Sequence, residues 1–392
     1  MTVIAPNSPL PAAPTASARV GMVGGGQLAR MTHQAAVDLG ISLEILAQSA
    51  TDPAVLAGAP HLLGPPGSIN ALRTLAERCD VITFDHEHVP TERVTALQTA
   101  GYTVRPRAEA LRLAQDKLLA RQVLAQAGFA VPPFMPAGKG DAEAAGEFAQ
   151  RWGWPIVMKS RHGGYDGKGV HVLHDPDGVA RLLASTSPAS WVIEAHVPIA
   201  CELAVLVARN PSGATAIYPV VETHQRDGMC QELVMPARVP DEIADAATRL
   251  AKSIADCIHV TGILAVEMFL TTAGGLVVNE LATRPHNSGH ATIEATTTSQ
   301  FHNHLRGILD WPLGSTEMVA PAAATVNVIG SPAGADPARY LAAALSVPSA
   351  HVHLYAKNPH PGRKLGHVTA LGANQSEALD TARAAASLLL GS

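Results

Sequence analysis

Between residues 19 and 47 the chain passes from an apolar run, 20–23, through Gly24, Gly25 and Gly26 into a helical pattern over 27–39 that stops at Gly40. A second apolar run, 41–47, follows at once. A strand, a glycine turn, a helix and another strand in so short a span constrain the fold strongly. Parallel strands need a crossover connection, and a helix of this length supplies one. Residues 79–84 (CDVITF) form a further apolar run that leads into the polar loop 85–89 (DHEHV). The alternation predicts a doubly wound parallel α/β sheet over residues 19–106.

The glycine turn allows three readings. Gly24-x-Gly26-x-x-Ala29, after a strand and before a helix, matches a dinucleotide-binding fingerprint. That fingerprint wants an acidic residue closing the second strand, whereas this strand ends in Ala47-Gln48 with Glu44 inside it. Backbone N–H groups at the helix N-terminus can still seat a phosphate. A turn with no ligand is the third reading.

Composition limits the partners. A chain of 392 residues exceeds one ordinary core and predicts two or three domains. With 47% hydrophobic and 16% charged residues it is a soluble globular chain. A net charge of −5 and 4% aromatic residues give no electrostatic or stacking basis for nucleic acid. No run of apolar residues is long enough to cross a membrane. Residues 1–18 are rich in Pro, Ala and Ser and read as a disordered tail rather than a signal peptide. Cys79, Cys201, Cys230 and Cys257 are scattered without a C-x-x-C pair, which fits free thiols in the cytoplasm.

Beyond the first sheet, residues 108–127 carry one strong helical pattern, ended by Gly128 and Pro132-Pro133. From Pro155 the texture changes to short strands and hairpins, an α+β region expected to be mostly antiparallel. After Pro312 an alanine-rich, weakly patterned stretch ends in short strands near Val326 and Val352. The domains expected are 19–106, 107–311 and a small C-terminal one over 312–392.

Two segments carry chemistry. Residues 163–169 read GGYDGKG, four glycines in seven residues, beginning four residues after Lys159 ends an apolar strand. Such freedom is costly in backbone entropy and suits a flap that closes over phosphates, with Lys159 and Lys168 as cations. A solvated hairpin would need fewer glycines. The second segment pairs residues 266–270 with 277–280 across a turn at 271–275. A two-residue turn on Ala273-Gly274 sets Glu267 directly opposite Glu280, with Cβ atoms about 5 Å apart, where like charges repel. A hard cation bridging both would remove the conflict, and Asn279 adds an oxygen. A turn on Gly274-Gly275 would break the pairing. Residues 283–290 (TRPHNSGH) follow, and Arg284, His286 and Asn287 offer an anion a guanidinium, an imidazole and an amide on a loop kept extended by Pro285. Lys357, Arg363 and Lys364 form a second basic cluster near the C-terminus.

Together these segments resemble the ATP-grasp superfamily, and within it the family of N5-carboxyaminoimidazole ribonucleotide synthases. The carriers are GGGQLARM at 24–31, GGYDGKG at 163–169, NELATRPHNSGH at 279–290, SQFHNHLRGILDWPLG at 299–314 and GRKLGH at 362–367. The resemblance implies an ATP-grasp fold with an N-terminal parallel-sheet domain and a small C-terminal domain, in a homodimer. It implies a ligase that joins ATP, bicarbonate and 5-aminoimidazole ribonucleotide with Mg2+ in purine biosynthesis. By position, Arg112, Lys159 and the loop Gly164, Tyr165, Asp166, Gly167, Lys168, Gly169 and Val170 would hold the nucleotide. Glu194, Ala195, His196 and Val197 would meet the adenine and Glu202 the ribose, with Asn279 and Glu280 near the phosphates. Gln225 stands where the family often has histidine near the nucleotide. Glu267 and Glu280 would hold the metal, and Asp166, Lys168, Arg284 and His286 would surround bicarbonate. Gly25, Gly26, Gln27, Asn287, Lys357, Arg363 and Lys364 would receive the substrate ribonucleotide. A formate-using sister enzyme on glycinamide ribonucleotide, a dehydrogenase built on the N-terminal glycines and a non-enzymatic nucleotide-binding protein are the rival readings.

Overall fold

The structure is a computed structural model that describes residues 17–164, 167–184, 190–226, 228–331 and 334–391. The expected tail lies outside them as far as residue 16. The first sheet holds four parallel strands, β1 (Arg19–Val23), β2 (Ser42–Ala47), β3 (His61–Leu63) and β4 (Val81–Phe84), in the order β3-β2-β1-β4. Successive residues of a strand face opposite sides. Val20 and Met22 therefore enter one core with the helix Gln27–Asp38, and Val23 enters another with the helices Ile69–Ala76 and Thr91–Thr99. Both faces are covered, as a parallel sheet requires.

The middle of the chain builds two antiparallel sheets. β5 (Phe134–Ala137), β6 (Ile156–Ser160), β7 (Val170–Leu173) and β8 (Trp191–Ala195) run in the order β5-β8-β6-β7. The third sheet contains β9 (Ile199–Arg209), β10 (Thr215–Ile217), β11 (Val221–Arg226), β12 (Met229–Met235), β13 (Gly262–Thr271), β14 (Leu276–Ala282), β15 (Ala322–Ile329), β16 (Ala350–Leu354) and β17 (Lys364–Gly372). Its order is β14-β13-β9-β11-β12-β15-β17-β16, with β10 on β9. The last three strands thus extend this sheet instead of forming one of their own, and the helix Gln375–Leu389 packs its alanine face against them.

One expected element is divided. The helical pattern over 108–127 forms two helices, Ala108–Gln115 and Lys117–Gln126, separated at Asp116. Asp116 has extended backbone, and its carboxylate accepts the Leu119 N–H (3.1 Å) as the N-cap of the second helix. The same carboxylate takes both Nε (2.8 Å) and Nη2 (2.7 Å) of Arg161, just beyond β6. The break resets the helical phase, which decides which cations reach the site.

The helix Gln300–Ile308 joins the first sheet to the third. Phe301, Leu305 and Ile308 complete the core beside Val20 and Met22. From the same helix His304 Nδ1 accepts the Ile263 N–H (3.2 Å), which leaves the ring proton on Nε2 to donate to Thr83 Oγ1 (2.9 Å). Burial pushes the His304 imidazole down to about 3. Its stabilising contribution is complete above its unfolded value near 6.5 and is lost as the pH falls from there towards 3. His304→Leu should leave two buried polar groups unpaired and cost about 3 kcal/mol, measured by urea unfolding at pH 7. The difference between variant and parent should shrink as the pH falls below 6.

Candidate active site

The three sheets enclose a cleft of about 1470 Å³. Its walls include the turn after β1, the flap between β6 and β7, the β13–β14 hairpin, the loop beyond β14 and the segment before β17.

The β13–β14 hairpin does set Glu267 opposite Glu280, though not through the turn expected. The loop closes with Leu270 opposite Leu276, and the Thr271 N–H reaches Gly275 O (2.8 Å). That register alone would misalign the carboxylates. Asn279 enters β14 as an extra residue between Val278 and Glu280, and this bulge restores the pairing. The bulged strand sends Asn279 and Glu280 into the same cleft as Glu267. Burial, followed by the charges of Glu280 and Glu202, pushes Glu267 up to about 8. Two opposed carboxylates of this kind match the donor set of a hard divalent cation. Among the described residues no group of three His, Cys, Asp or Glu side chains forms a metal centre. The remaining ligands of such a cation would therefore be phosphate oxygens and water, as is usual for Mg2+.

Cations converge on this hairpin. Lys159, at the end of β6, donates to Asn279 Oδ1 (2.9 Å) and pairs with Glu194 Oε2 (2.8 Å). Arg121 donates to Glu194 Oε1 (2.7 Å) and to the Asn279 carbonyl (2.6 Å). Burial alone would raise the Glu194 carboxyl, but Lys159 and Arg121 override it and hold the group down at about 2. Burial in turn lowers Lys159 below the usual lysine range, against the pull of Glu194. Both Glu194 oxygens are thus committed within the protein. Lys117, the first residue after the break at Asp116, donates to Glu280 Oε1 (2.8 Å).

Not every expected nucleotide contact lines the cleft, and Arg112 is one that does not. It sits on the exposed face of Ala108–Gln115, whose other side carries Leu111 and Leu113, and it does not line the cleft. Had the helix continued unbroken, the phase would differ; with the break at Asp116, Lys117 and Arg121 face inward. Gly25 and Gly169 also lie off the cleft wall, packed against Asp52 and Ser160. Tyr165 and Asp166 lie outside the described residues. Gly164, Gly167, Lys168, Val170, Ala195, His196, Val197 and Glu202 all line the cleft. Gln225 does too, and its amide bonds to Glu202, whose pKa is raised by burial against that bond. Gly167 (φ 73°) needs its missing Cβ, which would fall 2.6 Å from the Gly228 backbone in the β11–β12 turn.

Beyond the hairpin, Arg284 donates Nε to Glu87 Oε2 (2.7 Å). Burial opposes the guanidinium charge and Glu87 outweighs it, so the pKa is raised. His286 Nδ1 accepts the Ser288 N–H (3.3 Å), and Nε2 lies 3.6 Å from Glu267 Oε1. Burial, Arg284 and Lys364 push this imidazole down to about 3, so it is neutral and presents an N–H at Nε2. It is a donor in this arrangement, not a free base. Asn287 completes the loop on the cleft wall.

Gly26 and Gln27 line the same cleft as Lys357, Arg363 and Lys364. Lys357 Nζ donates to Gln27 Oε1 (2.5 Å) and stands 5.5 Å from the Tyr355 ring centre. Tyr355 is anchored by a 2.6 Å hydrogen bond to His367, which stacks between His290 and His353. The glycine turn holds an internal carboxyl group: the Gly26 N–H donates to Asp85 Oδ2 (2.7 Å), and a Cβ on Gly24 (φ 110°) would fall on Asp85 itself. Sequence reasoning missed Asp85, Glu87, Lys117 and Arg121. An Asp directly before a helical apolar pattern is the one signal that marks the Asp116 cap, and with it Lys117.

Comparison with known proteins agrees with this architecture. Residues 17–115 match the ribonucleotide synthetase preATP-grasp domain, 122–301 the ATP-grasp domain, and 323–381 the phosphoribosylaminoimidazole carboxylase C-terminal domain. The chain is 48% identical over 374 residues to the N5-carboxyaminoimidazole ribonucleotide synthase of Mycobacterium tuberculosis, covering 94% of this chain and 86% of that one. It is similar to a solved structure of an N5-carboxyaminoimidazole ribonucleotide synthetase in complex with ADP (TM-score 0.87, 31% identity, 96% of this chain and 97% of that one). It is equally similar to the Aspergillus clavatus enzyme in complex with ADP and 5-aminoimidazole ribonucleotide (TM-score 0.87, 32% identity, 95% and 98%). With its three domain matches and these relatives, the chain belongs to the N5-carboxyaminoimidazole ribonucleotide synthase family of ATP-grasp ligases.

Proposed function

We propose that the protein uses ATP to carboxylate 5-aminoimidazole ribonucleotide with bicarbonate, giving N5-carboxyaminoimidazole ribonucleotide, ADP and phosphate. The observation that carries this reading is the set of charges gathered on the wall of one cleft. Lys159, Lys117 and the paired carboxylates, Arg284 and neutral His286, and the basic cluster of Lys357, Arg363 and Lys364 all line it. That set of charges suits a nucleotide, a small anion and a second phosphate. A dehydrogenase has no support here, because the Gly26 N–H that would meet a pyrophosphate is held by Asp85.

Bicarbonate is a weak electrophile, and phosphorylation makes it a better one as carboxyphosphate. Glu267 and Glu280 would hold Mg2+, which would neutralise charge on the transferring phosphoryl group. Lys159 and Lys168 add positive charge to the same oxygens. Arg284, fixed by Glu87, receives the small anion, and His286 Nε2–H donates to it. The flap excludes water from the hydrolytically fragile intermediate. Lys357 and Arg363 seat the ribonucleotide phosphate so that its amine faces Arg284. With the His286 lone pair at Nδ1 turned to Ser288, the amine proton leaves more readily to released phosphate or to Asp166.

The test is ADP release with and without 5-aminoimidazole ribonucleotide, in bicarbonate-depleted and bicarbonate-replete buffer. Dependence on both supports the proposal. Release that requires formate and glycinamide ribonucleotide instead would move the chain to the sister activity, and binding of ATP without stimulated turnover would make it a non-enzymatic nucleotide binder.

A further inference from the structure

We propose that Lys117 holds the cation's place on Glu280 while the nucleotide is absent, so that the divalent cation enters the site only together with ATP. The inference rests on the metal reading above and concerns the order in which the site fills.

Three observations carry it. First, Lys117 Nζ lies 2.8 Å from Glu280 Oε1, and the lysine side chain is only 13% exposed. An ammonium therefore already engages one carboxylate oxygen of Glu280, which stands opposite Glu267 on the paired strand. Second, the protein's own ligands for a divalent ion are few, since no three titratable donors gather among the described residues. A cation held by two carboxylates, one of them engaged by an ammonium, has too few oxygen ligands to bind alone. Nucleotide phosphates supply the missing oxygens. Third, they also give Lys117 somewhere to go. Lys117 sits under the flap, its Cε 4.0 Å from where a Cβ on Gly164 would stand. A lysine on a flexible stem is a mobile point charge, able to move from a carboxylate to a phosphate oxygen within the same cleft.

The neighbours are built to stay. Arg121, one helical turn on, is fixed to Glu194 and to the Asn279 carbonyl. Asp116 is clamped by Arg161 at the stem of the flap, and the Lys117 N–H donates to the Arg161 carbonyl (3.0 Å). Among these cations Lys117 contacts the half-exposed carboxylate, Glu280, which is 44% exposed, whereas Lys159 and Arg121 hold the buried Glu194. The exchange therefore leaves the buried ion pairs intact. The repulsion between Glu267 and Glu280 passes from a single charge to a divalent one when the nucleotide arrives.

Mn2+, followed by its electron paramagnetic resonance signal, tests this in the full-length protein. Nucleotide-free wild type should show no saturable site at micromolar Mn2+, whereas Lys117→Met should bind it at least about tenfold more tightly. Lys117→Arg, which keeps the charge, should stay blocked like the wild type, and circular dichroism melts establish that each variant is folded. With a non-hydrolysable ATP analogue, wild type and Lys117→Met should both bind Mn2+. Equal binding by nucleotide-free wild type and Lys117→Met overturns the inference and leaves the metal reading standing. Mn2+ binding with the analogue that is unchanged in Glu280→Gln overturns the metal reading, and the inference with it. Should Lys117→Met not fold, saturable micromolar Mn2+ binding by nucleotide-free wild type alone overturns it.

Discussion

Lys159→Met is expected to lower ATP turnover about a thousandfold, the loss that follows when a charge-stabilising donor is removed from a water-poor site. Methionine keeps the stem, so packing on β6 persists and the missing charge is isolated. The substitution also removes one of the two cations that neutralise Glu194. Arg121 remains, so the stability cost should be about 2 kcal/mol, below that of fully orphaning a buried carboxylate. The Glu194 carboxyl, held at about 2 against an ordinary 4.5, contributes stability that is present above pH 4.5 and lost as the pH falls towards 2. In the variant that acid-side loss should be smaller. Stopped-flow product release and urea unfolding between pH 3 and 7 measure both effects. Wild-type turnover at saturating ATP would remove Lys159 from the phosphate site.

Glu267→Gln should move activity and stability in opposite directions. Turnover should fall at least a hundredfold, because the hairpin would lose one of its two charged ligands. Yet the nucleotide-free protein should become more stable. Glu267 is held up to about 8 in the fold, from an ordinary 4.5, chiefly by burial and then by Glu280. Its stabilising protonation is complete below pH 4.5 and is lost as the pH rises towards 8. Parent and variant should therefore melt alike near pH 4. By pH 8 the variant should be ahead by about 2 kcal/mol, a figure discounted because 26% of the side chain meets solvent. Equal stability at pH 8 would show that the two carboxylates do not oppose one another. Function here keeps a repulsion that folding alone would discard.

Much of this was legible in the residue order. The strand–glycine–helix unit gave the parallel sheet because a continuous apolar run, a glycine turn and a period-3.6 pattern abut there without ambiguity. The opposition of Glu267 and Glu280 was legible for a different reason from the one that holds. A two-residue turn was the simplest way to align them, but a longer loop and a bulge at Asn279 do so, and a bulge leaves no mark in a run as regular as VVNEL. The inward cations Lys117 and Arg121 were hidden because a single Asp does not break a good helical pattern; the capping bond and the pull of Arg161 break it at Asp116. Glu87 and Asp85 sit in a short polar loop with no periodicity, and only the fold brings Glu87 to Arg284, far along the chain. The C-terminal helix Gln375–Leu389 was blurred by alanine, which suits buried faces of either kind.

The continuity of the third sheet across the chain has a consequence during synthesis. β12 pairs with β15 from Glu232 opposite Val326 to Met235 opposite Ala323, so its outer edge has no partner until residues beyond 322 have left the ribosome. Leu233, Val234 and Met235 are fully buried in the finished protein and would be the apolar part of that open edge. A nascent chain halted there offers a strand for pairing with its neighbours on the polysome. The interval between the emergence of residue 235 and that of residue 322 is where a chaperone would matter most for the yield of this enzyme.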